Sequence, residues 1–221
     1  MRRGLFVTGT DTGVGKTVVS AALLHRYGAR TTLRYWKPIQ TGTEQDDDTH
    51  EVRRLAAGAP VECLDEGVRL PRPVSPHLAA SLAGQTIDLQ EVVDPFELYP
   101  LTDRWIVEGA GGVLVPVNPD DLMIDLMSRL GLAVLVVARS SLGTINHTLL
   151  TVESVRARAL DVAGIVMVGK PDRHNRSAIE EYGRVSVVGE MPCFDHLTPS
   201  GLAAWAEGEL DPTAQLWEYL Q

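Results

Sequence analysis

The sequence predicts an α/β fold: a doubly wound, mostly parallel sheet with helices on both faces, in a single domain spanning residues 1–221. Three observations predict it. Short apolar runs without polar alternation recur between helix-length segments, as expected of parallel strands buried on both faces. The first of them, Leu5-Phe6-Val7, runs into the glycine-rich turn Gly9-Thr10-Asp11-Thr12-Gly13-Val14-Gly15, after which Lys16-Thr17 opens a helix. Polar clusters follow several of the other runs, on the sheet edge where doubly wound folds collect their ligands.

In chain order, the first strand is expected at residues 5–8 and its helix at 17–27, stopped by Gly28. A second strand at 32–37 precedes a helix at 49–57, which ends before Gly58. The segment from Val61 to Pro76 is rich in Pro and Arg and has no clear period, so it reads as a long functional loop or lid. Helices at 76–82 and 88–98 follow, with Gly84 as a stop and Asp88 as an N-cap. Strands at 105–108, 133–138 and 164–168 then alternate with helices at 121–130, 144–160 and 176–182, and Gly131 ends the first of these helices. A short strand at 185–189 and a helix at 200–207, with Ser200 as N-cap, complete the pattern.

The formal net charge of −9 argues against a nucleic acid held by general electrostatics and leaves small molecules as the expected partners. Cys63 and Cys193 have no metal-ligand spacing and read as free thiols. No apolar stretch approaches a membrane span, and no secretory h-region precedes the first strand. The expected location is the cytoplasm.

The turn at 9–17 is a P-loop in an unusual register, because five residues rather than four separate Gly9 from Gly15. Its backbone N–H groups and helix dipole converge on one point suited to phosphate, with Lys16 reaching the outer phosphates and Thr17 ligating Mg²⁺. Lys37 ends the second apolar run before Pro38-Ile39-Gln40-Thr41-Gly42. It reads equally as a snorkelling surface cation or as a second ammonium for phosphoryl charge, and the neighbouring phosphate loop favours the latter. One of Asp46, Asp47 and Asp48 could complete a Mg²⁺ site, and the residues alone do not choose among them. Glu108 ends a buried strand before Gly109-Ala110-Gly111-Gly112, the position of a second Mg²⁺ anchor or a water-positioning group. The stretch Leu142-Gly143-Thr144-Ile145-Asn146-His147 opens a helix, whose free N–H groups could bind an anion or simply be capped by Thr144; His147 reads as structural.

Taken together, residues 7–17, Lys37-Pro38-Ile39-Gln40-Thr41-Gly42, Ser75-Pro76-His77, Val107-Glu108-Gly109-Ala110-Gly111-Gly112 and Leu142–His147 resemble the dethiobiotin synthetase family, in family order and at family-like separations. The resemblance implies a P-loop NTPase-like fold, a homodimer, and an ATP- and Mg²⁺-dependent cyclo-ligase acting in biotin synthesis. Its substrates would be 7,8-diaminononanoate and CO₂, joined through a carbamate and a carbamic–phosphoric anhydride. By resemblance, Lys16 and Lys37 are catalytic, and Thr17, Asp48 and Glu108 hold the metal. Nucleotide would contact Gly13, Val14, Gly15, Lys16, Thr17, Glu108, Gly109, Ala110, Gly111, Gly169, Pro192 and Cys193. Thr12 and Thr41 would touch the diamine, and Gly143, Thr144 and Asn146 of a partner subunit its carboxylate. Two positions depart from the family pattern: Gly13 replaces a common acid, and Val168 an adenine-reading asparagine. Other nucleoside triphosphates are therefore open, with the base read by backbone near Gly169 or by residues 189–193. Two rivals fit less well. Amide synthetases on the same scaffold are much longer, and switch ATPases carry a signature lysine where this chain has Asp11.

Overall fold

The computed structural model of the chain describes residues 2–221. Seven parallel strands form one sheet in the order β4-β2-β6-β1-β7-β8-β9. They are β1 (Arg3–Gly9), β2 (Leu33–Trp36), β4 (Val61–Leu64), β6 (Arg104–Gly112), β7 (Ala133–Arg139), β8 (Val162–Val168) and β9 (Val187–Met191). A small parallel pair, β3 (Ile39–Thr41) with β5 (Val68–Leu70), stands apart from it. The central strand β1 carries a continuous apolar run: Leu5, Phe6 and Val7 are fully buried, each contributing about 1.5–3 kcal/mol of transfer free energy.

Alternation along the strands feeds two cores. Leu5 and Val7 face α1 (Lys16–Gly28), α2 (Asp48–Leu55) and α8 (Pro199–Gly208), whereas Phe6 faces the opposite layer. That second layer holds α4 (Leu89–Leu98), α5 (Met123–Leu130), α6 (Thr144–Ala157) and α7 (Arg173–Gly183), with α3 (Pro76–Leu82) nearby. The strands all point the same way, so Gly9, Trp36, Gly112 and Arg139 end on a common edge.

Several boundaries differ from the sequence expectation. The segment 61–76 is not one long loop, because it contains β4 and β5. Strand β4 is a half-buried edge strand, so its pattern lacks the continuous apolar run of the central strands. Helix α7 starts at Arg173 rather than 176, since the Asp172 carboxylate accepts from His174 N and Asn175 N. Helix α8 is capped by Thr198, with Pro199 in its first turn, rather than by Ser200. Asp88 caps α4 as expected, and Gly131 closes α5 in the left-handed conformation.

The C-terminal residues are integral to the fold. After α8 the chain passes through Asp211 and a 3-10 turn, Gln215–Tyr219. Asp211 is fully buried; its carboxylate accepts from the Tyr27 hydroxyl and from Gln215 N at 2.9 Å and Leu216 N at 2.7 Å. Trp217 stacks on Tyr27 at 5.9 Å, and Leu220 O accepts from Arg104 Nε at 2.7 Å. The tail thus ties α1 to the start of β6. Asp211→Ala strands buried donors, so urea unfolding should show a loss of about 2–4 kcal/mol.

Candidate active site

Gly15 is the N-cap of α1 at φ 100°, a left-handed conformation that a side chain would strain, and no side chain caps the helix. The first-turn N–H groups therefore face the cleft without an internal partner. Lys16 is 7% exposed, and its ammonium donates to Asp11 O at 3.2 Å. Burial holds its pKa below the usual lysine value. The Asp11 carboxylate is itself tied down: it pairs with Arg139 Nη2 at 2.6 Å and accepts from Thr12 N at 2.7 Å.

The centre of the site is a cluster of charges at the end of β2, the middle of β6 and the start of α2. Lys37 Nζ donates to Glu108 Oε1 at 2.8 Å and pairs with Asp48 Oδ2. Thr17 Oγ1 lies 2.9 Å from Asp48 Oδ1 and 3.0 Å from Glu108 Oε1, and one hydroxyl proton serves only one of them at a time. Burial disfavours the Lys37 charge, but Glu108 and Asp48 outweigh it and raise the pKa. Burial likewise opposes ionisation of Asp48, yet Lys37 lowers its pKa overall. With one value raised and the other lowered, the pair stabilises the fold at neutral pH. It is lost as pH falls through the Asp48 value or rises through that of Lys37.

The structure distinguishes the three aspartates. Asp47 caps α2, accepting from His50 N at 3.0 Å. Asp46 offers its backbone oxygen to Gln40 Nε2 at 2.9 Å. Only Asp48 turns its carboxylate onto Lys37 and Thr17.

One cleft of about 610 Å³ brings together Thr12, Gly13, Gly15, Lys16, Thr17, Lys37, Thr41, Asp48, Glu108, Ala110 and Gly111. Other expected residues stand outside its lining. Val14 is turned into the core, and Gly109 packs so closely on Phe6 that a Cβ would lie 2.8 Å from Cε1. Gly169, Pro192 and Cys193 follow β8 and β9. The Gly169 N–H donates to Met191 O at 2.8 Å, so that donor is already committed within the chain. Gly143 is the N-cap of α6, with no side-chain cap. Thr144, read as either a cap or part of an anion site, is buried with its hydroxyl 3.4 Å from that of Thr148, and Asn146 is exposed. His147, expected as structural, is exposed and lines a second cleft of about 510 Å³ beside Gly9–Thr12 and Gly112–Pro116. The two clefts share Thr12 and Val115.

Two residues around the cluster carry no motif signal. Tyr35 reads as an ordinary core aromatic, yet its hydroxyl donates to Glu108 Oε2 at 2.9 Å. Its pKa lies well above the usual phenol value, through burial and then the Glu108 charge. Arg69 Nη1 donates to Lys37 O at 2.9 Å and steadies the main chain behind the lysine. Gly67, at φ 128°, lies against Pro38, where a Cβ would be 2.4 Å from the carbonyl oxygen.

Relatives of this chain are found over most of its length. The family model described as AAA domain matches residues 3–200. The ATP-dependent dethiobiotin synthetase BioD of Paramagnetospirillum magneticum is 49% identical over 201 residues, 91% of this chain and 93% of that protein. The protein of the same name from Brucella ovis is 44% identical over 91% of this chain and 92% of its own length. Part of the biotin biosynthesis bifunctional protein BioCD of Bordetella avium is also similar, at 45% identity over 93% of this chain and 43% of that protein. Among solved structures, apo McdA from Cyanthece has a TM-score of 0.59 at 12% identity, covering 99% of each chain. The septum site-determining protein MinD of Pyrococcus horikoshii has a TM-score of 0.58 at 15% identity, covering 99% of this chain and 94% of that one. These distant structures share the fold alone.

Proposed function

The chain belongs to the ATP-dependent dethiobiotin synthetase family, and from that premise we propose that it converts 7,8-diaminononanoate and CO₂ into dethiobiotin. It is an ATP-dependent enzyme of biotin biosynthesis. The observation that carries the finer reading is the convergence of Lys16, Lys37, Thr17, Asp48 and Glu108 on one cleft at the P-loop.

The donor set fits Mg²⁺. Two carboxylates and a hydroxyl offer only oxygen, and Mg²⁺ sites typically take one or two carboxylates with phosphates and water. Among the described residues no cluster of three or more His, Cys, Asp or Glu side chains competes for it. Thr17, Asp48 and Glu108 would hold the ion, which supplies charge neutralisation for the β- and γ-phosphates.

In this reading one substrate amine, as the free base, bonds to CO₂ and loses a proton to give a carbamate. The two ammoniums of Lys16 and Lys37 keep that amine neutral and attract the carbamate charge. A carbamate oxygen attacks the γ-phosphorus as the bond to the leaving nucleoside diphosphate breaks. The second amine, as the free base, then attacks the carbamate carbon, the C–O bond to phosphate breaks, and loss of its proton to solvent gives the cyclic urea. Lys16 tracks the outer phosphates, while Lys37 meets charge that develops during transfer. Gly13, Gly15, Thr17, Ala110 and Gly111 line the nucleotide side, with Val14 and Gly109 contributing backbone and Gly169, Pro192 and Cys193 at the base end. Thr12 and Thr41 face the diamine.

We place the substrate carboxylate on the uncapped start of α6, at Gly143, Thr144 and Asn146 of a second copy. Leu114 (57% exposed) and Leu150 (54%), which line the second cleft, and Leu142 (101%), two residues before α6, offer the apolar surface for such a homodimer. The whole chain, 1–221, acts as one catalytic domain in this proposal, in the cytoplasm, with small-molecule partners and neither nucleic acid nor membrane. No described helix is long and apolar enough to cross a membrane.

The function is tested by fixation of labelled bicarbonate into acid-stable product with Mg²⁺, diaminononanoate and either ATP or CTP. Label should appear only when triphosphate and diamine are both present; no fixation by folded, nucleotide-binding protein removes the assigned substrates. Lys37→Ala should lower kcat about 100-fold or more, the scale of losing one preorganised electrostatic group, with nucleotide affinity nearly retained. Near-normal turnover would deny Lys37 its role. Asp48→Asn should raise the Mg²⁺ requirement far more than Asp46→Asn, and the reverse order would reassign the ligand.

A further inference from the structure

The Glu108 carboxylate is fully buried, and its two oxygens have different neighbours. Oε1 lies within hydrogen-bond distance of Thr17 and Lys37, whereas Oε2 accepts from the Tyr35 hydroxyl at 2.9 Å. Tyr35 is itself fully buried, on β2, where it pairs with Ile106 of β6. Glu108 stands two residues beyond Ile106 on the same face of that strand, because side chains alternate with a period of two. The aromatic ring fills the core beneath α1, and Glu108 is the partner its hydroxyl reaches.

The terminal torsion of a glutamate is soft and roughly two-fold, so a carboxylate held at one oxygen alone turns readily. We propose that Tyr35 is a positioning residue: it holds Oε2 of Glu108 so that Oε1 is the oxygen presented to Thr17, Lys37 and the metal. The inference rests on the reading of Glu108 as a Mg²⁺ ligand. A phenylalanine at this position would keep the packing and lose only the donor, leaving Oε2 buried without a partner.

The test compares Tyr35→Phe, Glu108→Gln and the double variant by calorimetric binding of a non-hydrolysable ATP analogue, with Mg²⁺ and with chelator. Turnover against free Mg²⁺ gives a second readout. Tyr35→Phe should keep metal-free affinity within about twofold and lose about 10- to 100-fold of the Mg²⁺-dependent gain, the size of one hydrogen bond to a charged group. The half-saturating Mg²⁺ concentration should rise in step while the diamine KM stays put. Because Tyr35 acts through Glu108, the double variant should be no worse than Glu108→Gln. A full Mg²⁺-dependent gain in Tyr35→Phe, with that gain lost in Glu108→Gln, overturns the role of Tyr35. An equal loss with and without Mg²⁺ also overturns it, since the hydroxyl would then serve general packing. If Glu108→Gln itself keeps the gain, the metal reading of Glu108 fails first and takes this inference with it.

Discussion

The site depends on one buried ammonium shared by two carboxylates. Lys37 is 4% exposed and Glu108 is fully buried, so each charge has given up most of its water. Such charges persist only when paired and hydrogen-bonded with good geometry, because desolvation otherwise exceeds their attraction. The pairing draws together the end of β2, the start of α2 and the middle of β6, three segments far apart in sequence. The surroundings serve that junction: Arg69 holds the Lys37 carbonyl, and Asp47 starts α2 where Asp48 can turn inward.

Much of this was legible in the sequence, for physical reasons. Central parallel strands must be apolar on both faces, so β1, β6, β7 and β8 announce themselves. A phosphate loop needs glycines before an uncapped helix, so residues 9–17 are equally plain. Glu108 stood out because a carboxylate closes an apolar run directly before glycines, although the strand itself continues to Gly112. The sheet edge was harder to read. Strand β4 is half-exposed, and β3 and β5 have three residues each, too few to establish a period. Asp46, Asp47 and Asp48 are chemically identical, and only the backbone path decides which faces the lysine. Tyr35 fits a buried strand so well that its hydroxyl carried no separate signal. The tail was opaque because Asp211 and Ala214 adopt positive φ without a glycine to mark the turns.

McdA and MinD share the fold with this chain at 12% and 15% identity, and a shared fold does not fix the residues set on it. In this chain Asp11 stands where the sequence pattern of switch ATPases has a signature lysine, and Arg139 of the neighbouring strand holds it. That contact links the ends of β1 and β7 across the phosphate loop. The scaffold therefore supplies the phosphate cradle, and single side chains at the strand ends decide what surrounds it.

The shared lysine also has a bearing on how the protein rests between turnovers. Lys16 and Lys37 face Asp48 and Glu108, two positive charges against two negative ones. The acids Asp48 and Glu108 are thus paired by the chain's own residues. In small metal-dependent domains, where binding energy is folding energy, a chelator unfolds the chain. Here both acids are held by the chain's own Lys37, so removing divalent ions should leave the architecture standing.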